Sequence, residues 1–409
     1  MRQSLGTLAR ALRCDPPADA DGVIVSGIAE DSRAVHAGDL FVAIPGTRAD
    51  GATYIADAVR GGAVAVVRER AASDADSDRS VPTLIVEDAR VALARLAAIA
   101  HGDATRSLFA VGVTGTNGKT TTCHLLARLL GEERCTVVGT VSNRARDLPA
   151  VTTPSALAVQ RLAAESLQAG RGAMIIEASS AGISQRRVHG VHFDVAIYTG
   201  FGSGHEGFHG GVDRYFDAKL GLFRALDPGS TAVLNADDRR VRSVARACRC
   251  ATTSFGLERA DWRASHIVSD SRHTRFRLHR GAEQRDLVLP LPGRHNVRNA
   301  LAAAAAAALG GLELDSVVKR LAPPWSIPGR WERFRSAEGA EVIVDFAHTP
   351  GALEEALGIL RAEARRLVAV FGCPGDEEHG LCEAMGAVAG RLADHVVLTA
   401  DNPKERDPE

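Results

Sequence analysis

Ten residues, Gly112-Val113-Thr114-Gly115-Thr116-Asn117-Gly118-Lys119-Thr120-Thr121, carry the strongest chemical signal in the chain. An apolar run, Leu108-Phe109-Ala110-Val111, leads into them, and a helical pattern leads out. That is the strand–turn–helix setting of a phosphate-binding loop. Glycines let backbone N–H groups approach phosphate oxygens, and the helix N-terminus adds the positive end of a dipole. Lys119 is placed to reach terminal phosphates, and the Thr120 hydroxyl suits Mg²⁺. The spacing departs from G-x-x-x-x-G-K-[ST]: Val113 stands at the first glycine position, and Gly112 lies one residue early. A plain glycine-rich turn is the competing reading, and the Gly118-Lys119-Thr120 triplet weighs against it.

Other residues carry chemistry with less specificity. Glu177 closes an apolar run, where a carboxylate serves as a hard oxygen ligand; a solvated surface carboxylate is the alternative. His205 and His209 lie in a glycine-rich stretch, Gly202 to Gly210, and taken alone read as surface residues. Lys219, alone, reads as an exposed helix lysine. Arg187 suits a two-pronged grip on carboxylate or phosphate. Asn296 and Asn299 read either as ligand contacts or as a helix cap.

Periodicity predicts the elements that must position these groups. Within residues 1–104, 40–44, 63–67 and 83–86 read as strands. Residues 56–60 form a short helix, and 89–100 a longer one capped by Asp88. Within 105–322, strands are expected at 108–113, 173–177, 194–199 and 232–235, with helices at 120–130 and 299–309. The last of these contains seven consecutive alanines, 302–308. Strands alternating with helices define an α/β class with a mostly parallel sheet. Pro323-Pro324-Trp325-Ser326-Ile327-Pro328-Gly329 marks a boundary. Beyond it, 342–345, 367–371 and 395–399 read as parallel strands joined by helices. That is fewer than a complete α/β domain holds, so the block 323–409 is expected to be incomplete.

Composition excludes some classes. The chain has 409 residues, 45% apolar and 24% charged, ordinary for a globular protein with two to three domains. Lys plus Arg is 49 against 50 Asp plus Glu, which argues against a globally basic nucleic-acid binder. Aromatics are 4%, too few for base-stacking platforms. No apolar run approaches the roughly 20 residues of a membrane span, and the start lacks the apolar core of a secretory signal. The seven cysteines show no metal-ligand spacing. A reducing, cytoplasmic compartment is expected.

The run Thr114 to Thr121 resembles the signature of the Mur ligase family, which uses ATP to join an amino acid to a carboxylate on a UDP-linked cell-wall precursor. Asp31-Ser32-Arg33 with Gly38 to Gly46 is similar to the family's UDP-binding domain. Thr152-Thr153-Pro154 is similar to its T-T-P motif. Val344-Asp345-Phe346-Ala347-His348-Thr349-Pro350 and Asp401-Asn402-Pro403 resemble V-D-Y-A-H-T-P and the start of D-N-P-R. The motifs cover nearly the whole chain in order, and narrow the resemblance to the type that makes UDP-N-acetylmuramoyl-tripeptide.

The resemblance implies three domains. They are a UDP-substrate domain at 1–104, a central phosphate-loop domain at 105–322 and an incomplete Rossmann-like ligase domain at 323–409. It implies ATP and Mg²⁺, an acyl-phosphate intermediate, and a UDP-N-acetylmuramoyl-peptide and a diamino acid as partners. Neither nucleic acid nor membrane is implied, and a monomer is expected. It assigns Gly115, Thr116, Asn117, Gly118, Lys119, Thr120, Thr121, Asn296, Asn299, Arg330, Asp345 and His348 to ATP. Thr120, Glu177, His205 and Lys219 fall to Mg²⁺, with Lys219 carbamylated by CO₂. Lys119, Lys219, His205 and Glu177 form the catalytic set. Ser32, Thr152, Thr153, Ser179, Gln185 and Arg187 fall to the acceptor, and Asp401, Asn402 and Lys404 to the incoming amino acid.

Departures from the family pattern keep two further functions open. Ala181 stands where the family has His, Gly200 where Asn is usual and Gly204 where Asp is usual. The segment Gly372 to Glu383 is acidic or neutral where the family is basic. The same chemistry on another carboxylate in specialised metabolism is one alternative. A weakened module that binds nucleotide or UDP-sugar is the other. Lys404 replaces the Arg that accompanies diaminopimelate in the family. Its charge would repel a cationic side-chain end and attract a carboxylate, which predicts a diaminopimelate-like substrate over lysine.

Overall fold

The computed structural model describes residues 1–46, 50–70, 80–146, 148–149, 151–202, 206–373 and 379–401. In the first block, strands Gly27–Ala29, Asp39–Val42, Ala65–Glu69 and Thr83–Val86 form a four-stranded parallel sheet in that order. Helices Leu5–Leu12 and Ala89–Ala100 bury Leu5, Leu8, Leu93 and Leu96 against Leu40, Val42, Val67 and Leu84. Asp88 caps the second helix by accepting from the Arg90 and Val91 amides at 2.9 and 3.0 Å. The helix Leu5–Leu12 escaped the periodicity reading. Its signal is present: Ser4 accepts from the Thr7 amide, and Leu5, Leu8, Ala9 and Leu12 share one face.

The central block is built on a nine-stranded sheet. Its order is Glu283–Leu289, Thr274–Arg280, Trp262–Ser269, Ala251–Gly256, Thr231–Asn235, Val195–Tyr198, Phe109–Thr114, Ala173–Glu177, Cys135–Val138. Pairing is parallel from Cys135–Val138 through Trp262–Ser269, and antiparallel across the last two pairs. Alternate residues of each strand serve two cores. Val111, Ile175 and Ile197 meet helices Lys119–Leu130 and Arg294–Leu309 on one face. Ala110, Met174 and Ala196 meet helices Ala156–Gln168 and Val212–Arg224 on the other. Ala302 to Ala307 are fully buried. Their small side chains let the Arg294–Leu309 helix lie close to the phosphate-loop helix, so the alanine run is packed structure.

The third block corrects one expectation. Glu341–Val344 is antiparallel, paired with Glu332–Arg335 in a two-stranded sheet of its own. A tight turn joins the two strands: Ser336 N donates to Ala340 O at 2.8 Å, and Gly339 has φ of +85°. Among the described residues of this block, Val368–Phe371 and His395–Leu398 are the strands that pair in parallel. Helices Pro350–Arg361 and His379–Leu392 pack here around Leu353, Leu357, Leu367, Met385 and Ala389. Among the described residues, no helix is long and apolar enough to cross a membrane.

Candidate active site

The strand Phe109–Thr114 delivers the chain into Gly115–Gly118, and the helix Lys119–Leu130 carries it away. Gly118 is the N-cap, at φ +85°, and no side chain caps the helix. Its first amides are therefore free of a competing side chain, which is what an incoming anion requires. Lys119 Nζ donates to the carbonyls of Gly115 and Thr116, each at 2.9 Å. Burial pushes its pKa below the ordinary lysine value, while Glu177 pulls the other way. Thr116 is fixed outside the loop: its hydroxyl meets Gly202 O, Gly202 N and Tyr215 Oη at 3.0–3.1 Å. Asn117 is exposed, and its carbonyl accepts from Thr199. Thr121 is buried in the first helical turn.

Glu177 ends the strand hydrogen-bonded beside Phe109–Thr114, in register with Val113. It is 1% exposed, so the solvated-carboxylate reading fails. Thr120 Oγ1 donates to its Oε2 at 2.9 Å, and the Thr140 amide donates to its Oε1 at 3.0 Å. Burial pushes its carboxyl above the ordinary range. Lys119, Thr120, Arg330 and the Thr140 amide act against that rise. Thr140 had no motif to mark it. The only local signal is a Gly139-Thr140 step after a short strand.

A hydroxyl network continues from Glu177. Thr153 Oγ1 donates to the Glu177 carbonyl at 2.7 Å and meets Ser179 Oγ at 3.0 Å. Ser179 caps a short helix by accepting from the Gly182 amide. Thr152 Oγ1 lies 3.2 Å from Thr140 Oγ1. Arg187 donates to Thr153 O at 2.7 Å and to Gln185 Oε1 at 2.6 Å. Ser32 opens a short turn in the first block, capped by Asp31.

Lys219, 2% exposed, is no surface lysine. Its Nζ sits 4.3 Å from the Tyr215 ring centroid. Among the residues whose side chains are described, no carboxylate pairs with it. Burial first, then the Lys119 charge, pushes its pKa far below the ordinary value. His209 stacks near Tyr215, with ring centroids 5.4 Å apart. Gly200 has φ of +135°, a conformation that would strain the usual Asn. A Cβ there would stand 3.3 Å from Asn235 Nδ2 and from Asp238 Oδ2. An amide and a carboxylate from elsewhere thus occupy the polar environment that the glycine vacates.

The remaining contacts arrive from far along the chain. Arg330 Nη2 donates to Thr120 Oγ1 at 2.9 Å, and its guanidinium lies 4.2 Å from the Phe346 ring centroid. Asp345 accepts from the Trp331 and Ala347 amides, and His348 Nδ1 meets Phe346 O at 2.8 Å. The Asp401 carboxylate is among the charges that act on His348. Asn296 and Asn299 lie inside the Arg294–Leu309 helix, whose N-cap is Gly293, so neither is the cap. Asn299 Oδ1 accepts from Thr122 on the phosphate-loop helix, and its Nδ2 donates to Asn296. His205, Gly204, Asn402 and Lys404 lie outside the described residues.

This is an α/β protein in which a glycine-rich strand-to-helix turn, Gly115–Gly118, opens the Lys119–Leu130 helix beside a buried Thr120–Glu177 pair. Residues 24–101 match the Mur ligase family catalytic domain, 113–307 the Mur ligase middle domain, and 329–409 the Mur ligase glutamate ligase domain. The chain is 38% identical over 393 residues to the UDP-N-acetylmuramoyl-L-alanyl-D-glutamate–2,6-diaminopimelate ligase of Solibacter usitatus, covering 94% of this chain and 79% of that protein. It is 40% identical over 411 residues to the ligase of the same name from Alkalilimnicola ehrlichii, covering 96% and 82%. A solved structure under that ligase name superposes with a TM-score of 0.75 at 29% identity, covering 100% of this chain and 84% of that one. MurF from Acinetobacter baumannii superposes at 0.72 with 25% identity, covering 98% and 86%. The chain belongs to the Mur ligase family.

Proposed function

We propose that this chain is an ATP-dependent ligase that adds diaminopimelate to UDP-N-acetylmuramoyl-L-alanyl-D-glutamate in peptidoglycan precursor synthesis. The observation that carries the reading is the buried Thr120–Glu177 pair at the mouth of the Lys119 loop. The names of the similar ligases supply the substrates.

A magnesium ion fits the donors present. Thr120 and Glu177 offer only hard oxygens, and the hydrogen-bond partners of the buried carboxylate are neutral donors, the Thr120 hydroxyl and the Thr140 amide. When bound, the ion would neutralise charge developing on the phosphates. Lys119 and the helix amides orient and neutralise the transferring phosphoryl group, which is most of what phosphoryl transfer requires. Arg330 adds a guanidinium from beyond the central block. Asn296 and Asn299, beside the loop helix, fall to the base, and Asp345 and His348 to the nucleotide from the third block. The acceptor carboxylate attacks the γ-phosphorus and the bond to ADP breaks. The amine then attacks the acyl phosphate, loses a proton, and inorganic phosphate leaves. Thr152, Thr153, Ser179, Gln185 and Arg187 hold the acceptor, with Ser32 on the UDP side.

Lys219 suits carbamylation. Burial pushes the pKa of this amine well down, which favours the uncharged form, the form that adds CO₂. The product would be an anionic oxygen donor, with His205 as its neighbour in the ligand set. Asp401, Asn402 and Lys404 read the incoming amino acid. The reaction belongs in the cytoplasm, and the seven free thiols suit that compartment.

The test is ADP release with purified protein. Release is expected to require both the UDP-linked dipeptide and diaminopimelate, and to run slower with L-lysine. Turnover with neither amino acid, alongside tight ATP binding, would favour a binding module. Turnover with an unrelated carboxylate would favour specialised metabolism.

A further inference from the structure

The helix Pro350–Arg361 serves two cores. Leu353 and Leu357 are buried in the third block's own core, while Ala356 and Ile359 pack against the core of the central block. Glu355 stands one turn before Ile359, and Glu363 lies just beyond the helix end. Both carboxylates reach the central block. His295 Nδ1 stands 2.7 Å from Glu355 Oε1, and the His295 amide donates to the same oxygen at 3.3 Å. The Ser271 amide and hydroxyl donate to Glu363 Oε1 and Oε2 at 2.8 and 2.5 Å.

The central block presents its two anchors as one unit. Ser271 lies in the turn between Trp262–Ser269 and Thr274–Arg280, where Asp270 Oδ1 accepts from the Arg272 and His273 amides at 2.8 and 2.9 Å. Ser269 Oγ accepts from the Gly293 amide at 2.8 Å, which ties that turn to the start of the helix carrying His295. Ser271 is buried, and its carbonyl also takes donors from beyond the central block, Trp331 Nε1 at 2.8 Å and Arg333 Nη1 at 2.5 Å. Its amide, hydroxyl and carbonyl are thus all spent on residues 331–363. A half-exposed ion pair such as His295–Glu355 contributes little alone. Here two carboxylates flank an apolar contact and each accepts from two donors, so the contacts support one another.

We infer that Glu355 and Glu363 are positioning residues for the ligase reaction, seating the third block on His295 and Ser271 so that Arg330, Asp345 and His348 stay at the nucleotide. The inference rests on the proposed assignment of those three residues to ATP. His295 immediately precedes Asn296, and Glu355 lies on the helix that begins just after His348. The pair therefore spans the two halves of the nucleotide site. A tilt of the helix that moved Asp345 and His348 by about 1 Å would be enough to cost much of the rate. No motif marks either carboxylate.

The experiment measures kcat/KM for ATP by ADP release from the purified protein, with small-angle scattering beside it and thermal melts to report that each variant is folded. Glu363→Ala and Glu355→Lys are each expected to lower kcat/KM about tenfold, the size of a charge-assisted contact, and together to enlarge the radius of gyration. Adding His295→Glu to Glu355→Lys should bring kcat/KM back to within about threefold of the parent, because the pair attracts again with its signs exchanged. A residue that merely fills space would gain nothing from that exchange. His348→Ala is measured in the same series. If it lowers kcat/KM while Glu363→Ala and Glu355→Lys match the parent, the inference falls and the nucleotide assignment stands. The inference also falls alone if the exchange restores nothing, or if the combined variant keeps the parental radius. A His348→Ala protein with parental kcat/KM, or a parent without ADP release, would overturn the assignment and the inference together.

Discussion

Arg330 Nη2 stands 2.9 Å from Thr120 Oγ1, and that hydroxyl's one proton goes to Glu177 Oε2 at 2.9 Å. The first pair is 210 residues apart in sequence. A linker arginine therefore reads the phosphate-loop threonine directly, while the threonine's proton is committed to a buried carboxylate. The Thr120 oxygen accepts from Arg330 with one lone pair and keeps a second for a ligand, so the guanidinium stands beside whatever that oxygen binds. Arg330→Ala should lower kcat/KM for ATP about a hundredfold, the usual cost of losing one preorganised donor. Arg330→Lys should recover part of it, because the charge returns without the fork. ADP release against ATP concentration checks both, and an Arg330→Ala protein with parental kcat/KM would remove Arg330 from the nucleotide site.

Lys119→Ala should abolish ATP-dependent turnover. The loop would lose the ammonium now parked on the Gly115 and Thr116 carbonyls, and with it the main counter-charge for the terminal phosphates. Retained ADP release would show that phosphate binds elsewhere.

Lys219→Ala should cut activity strongly, and short carboxylates such as acetate or formate should partly restore it. The parent protein incubated with ¹³C-bicarbonate should show a carbamate carbon signal that the variant lacks. Full activity of the variant would overturn the proposed metal-ligand role of this buried lysine.

Gly118→Ala should destabilise the protein by about 1–2 kcal/mol and weaken ATP binding. Its φ of +85° is unfavourable for a Cβ, and that Cβ would collide with Asn299 Oδ1. Urea melts give the first quantity and nucleotide titration the second. A neutral outcome in both would mean that loop and asparagine move apart freely.

His124 lies one helical turn beyond Thr120, and its buried Nε2 has no partner among the described residues. Burial, aided by Arg330, pushes its pKa down to about 4 from 6.5. The folded protein thus binds fewer protons than the unfolded chain between those values, and stability falls as pH falls through that window. Between pH 7 and pH 5 the parent should lose about 2 kcal/mol through this residue. His124→Leu should flatten that part of the profile in urea melts. An unchanged acid limb would show that the imidazole titrates normally.

Much of the site was legible in local sequence because its chemistry is local. The glycines and Lys119 of the loop, the strand before it and the helix after it lie within a few residues of one another. Asp88 as a helix cap and Ala173–Glu177 as a strand followed from residue type and period. The third block misled because strand direction is not written in a strand. Val342 and Val344 suit a parallel or an antiparallel neighbour equally, and the turn at Ser336–Ala340 decided. Lys219 looked exposed because helix position alone does not say which face the next layer covers.

By itself, the sequence determined the α/β class, the phosphate loop and the kind of residue available to bind nucleotide, metal and carboxylate. These depend on short-range stereochemistry and on alternation of apolar side chains. Only the tertiary structure decided which groups meet. Thr120 and Glu177 are 57 residues apart. They converge because the strands Phe109–Thr114 and Ala173–Glu177 are hydrogen-bonded neighbours in parallel register. Burial then removed water, and removal of water pushed the pKa of Glu177 up and those of Lys219 and His124 down from their ordinary values. Desolvation is a property of the packed surroundings, and no residue carries it in its own name.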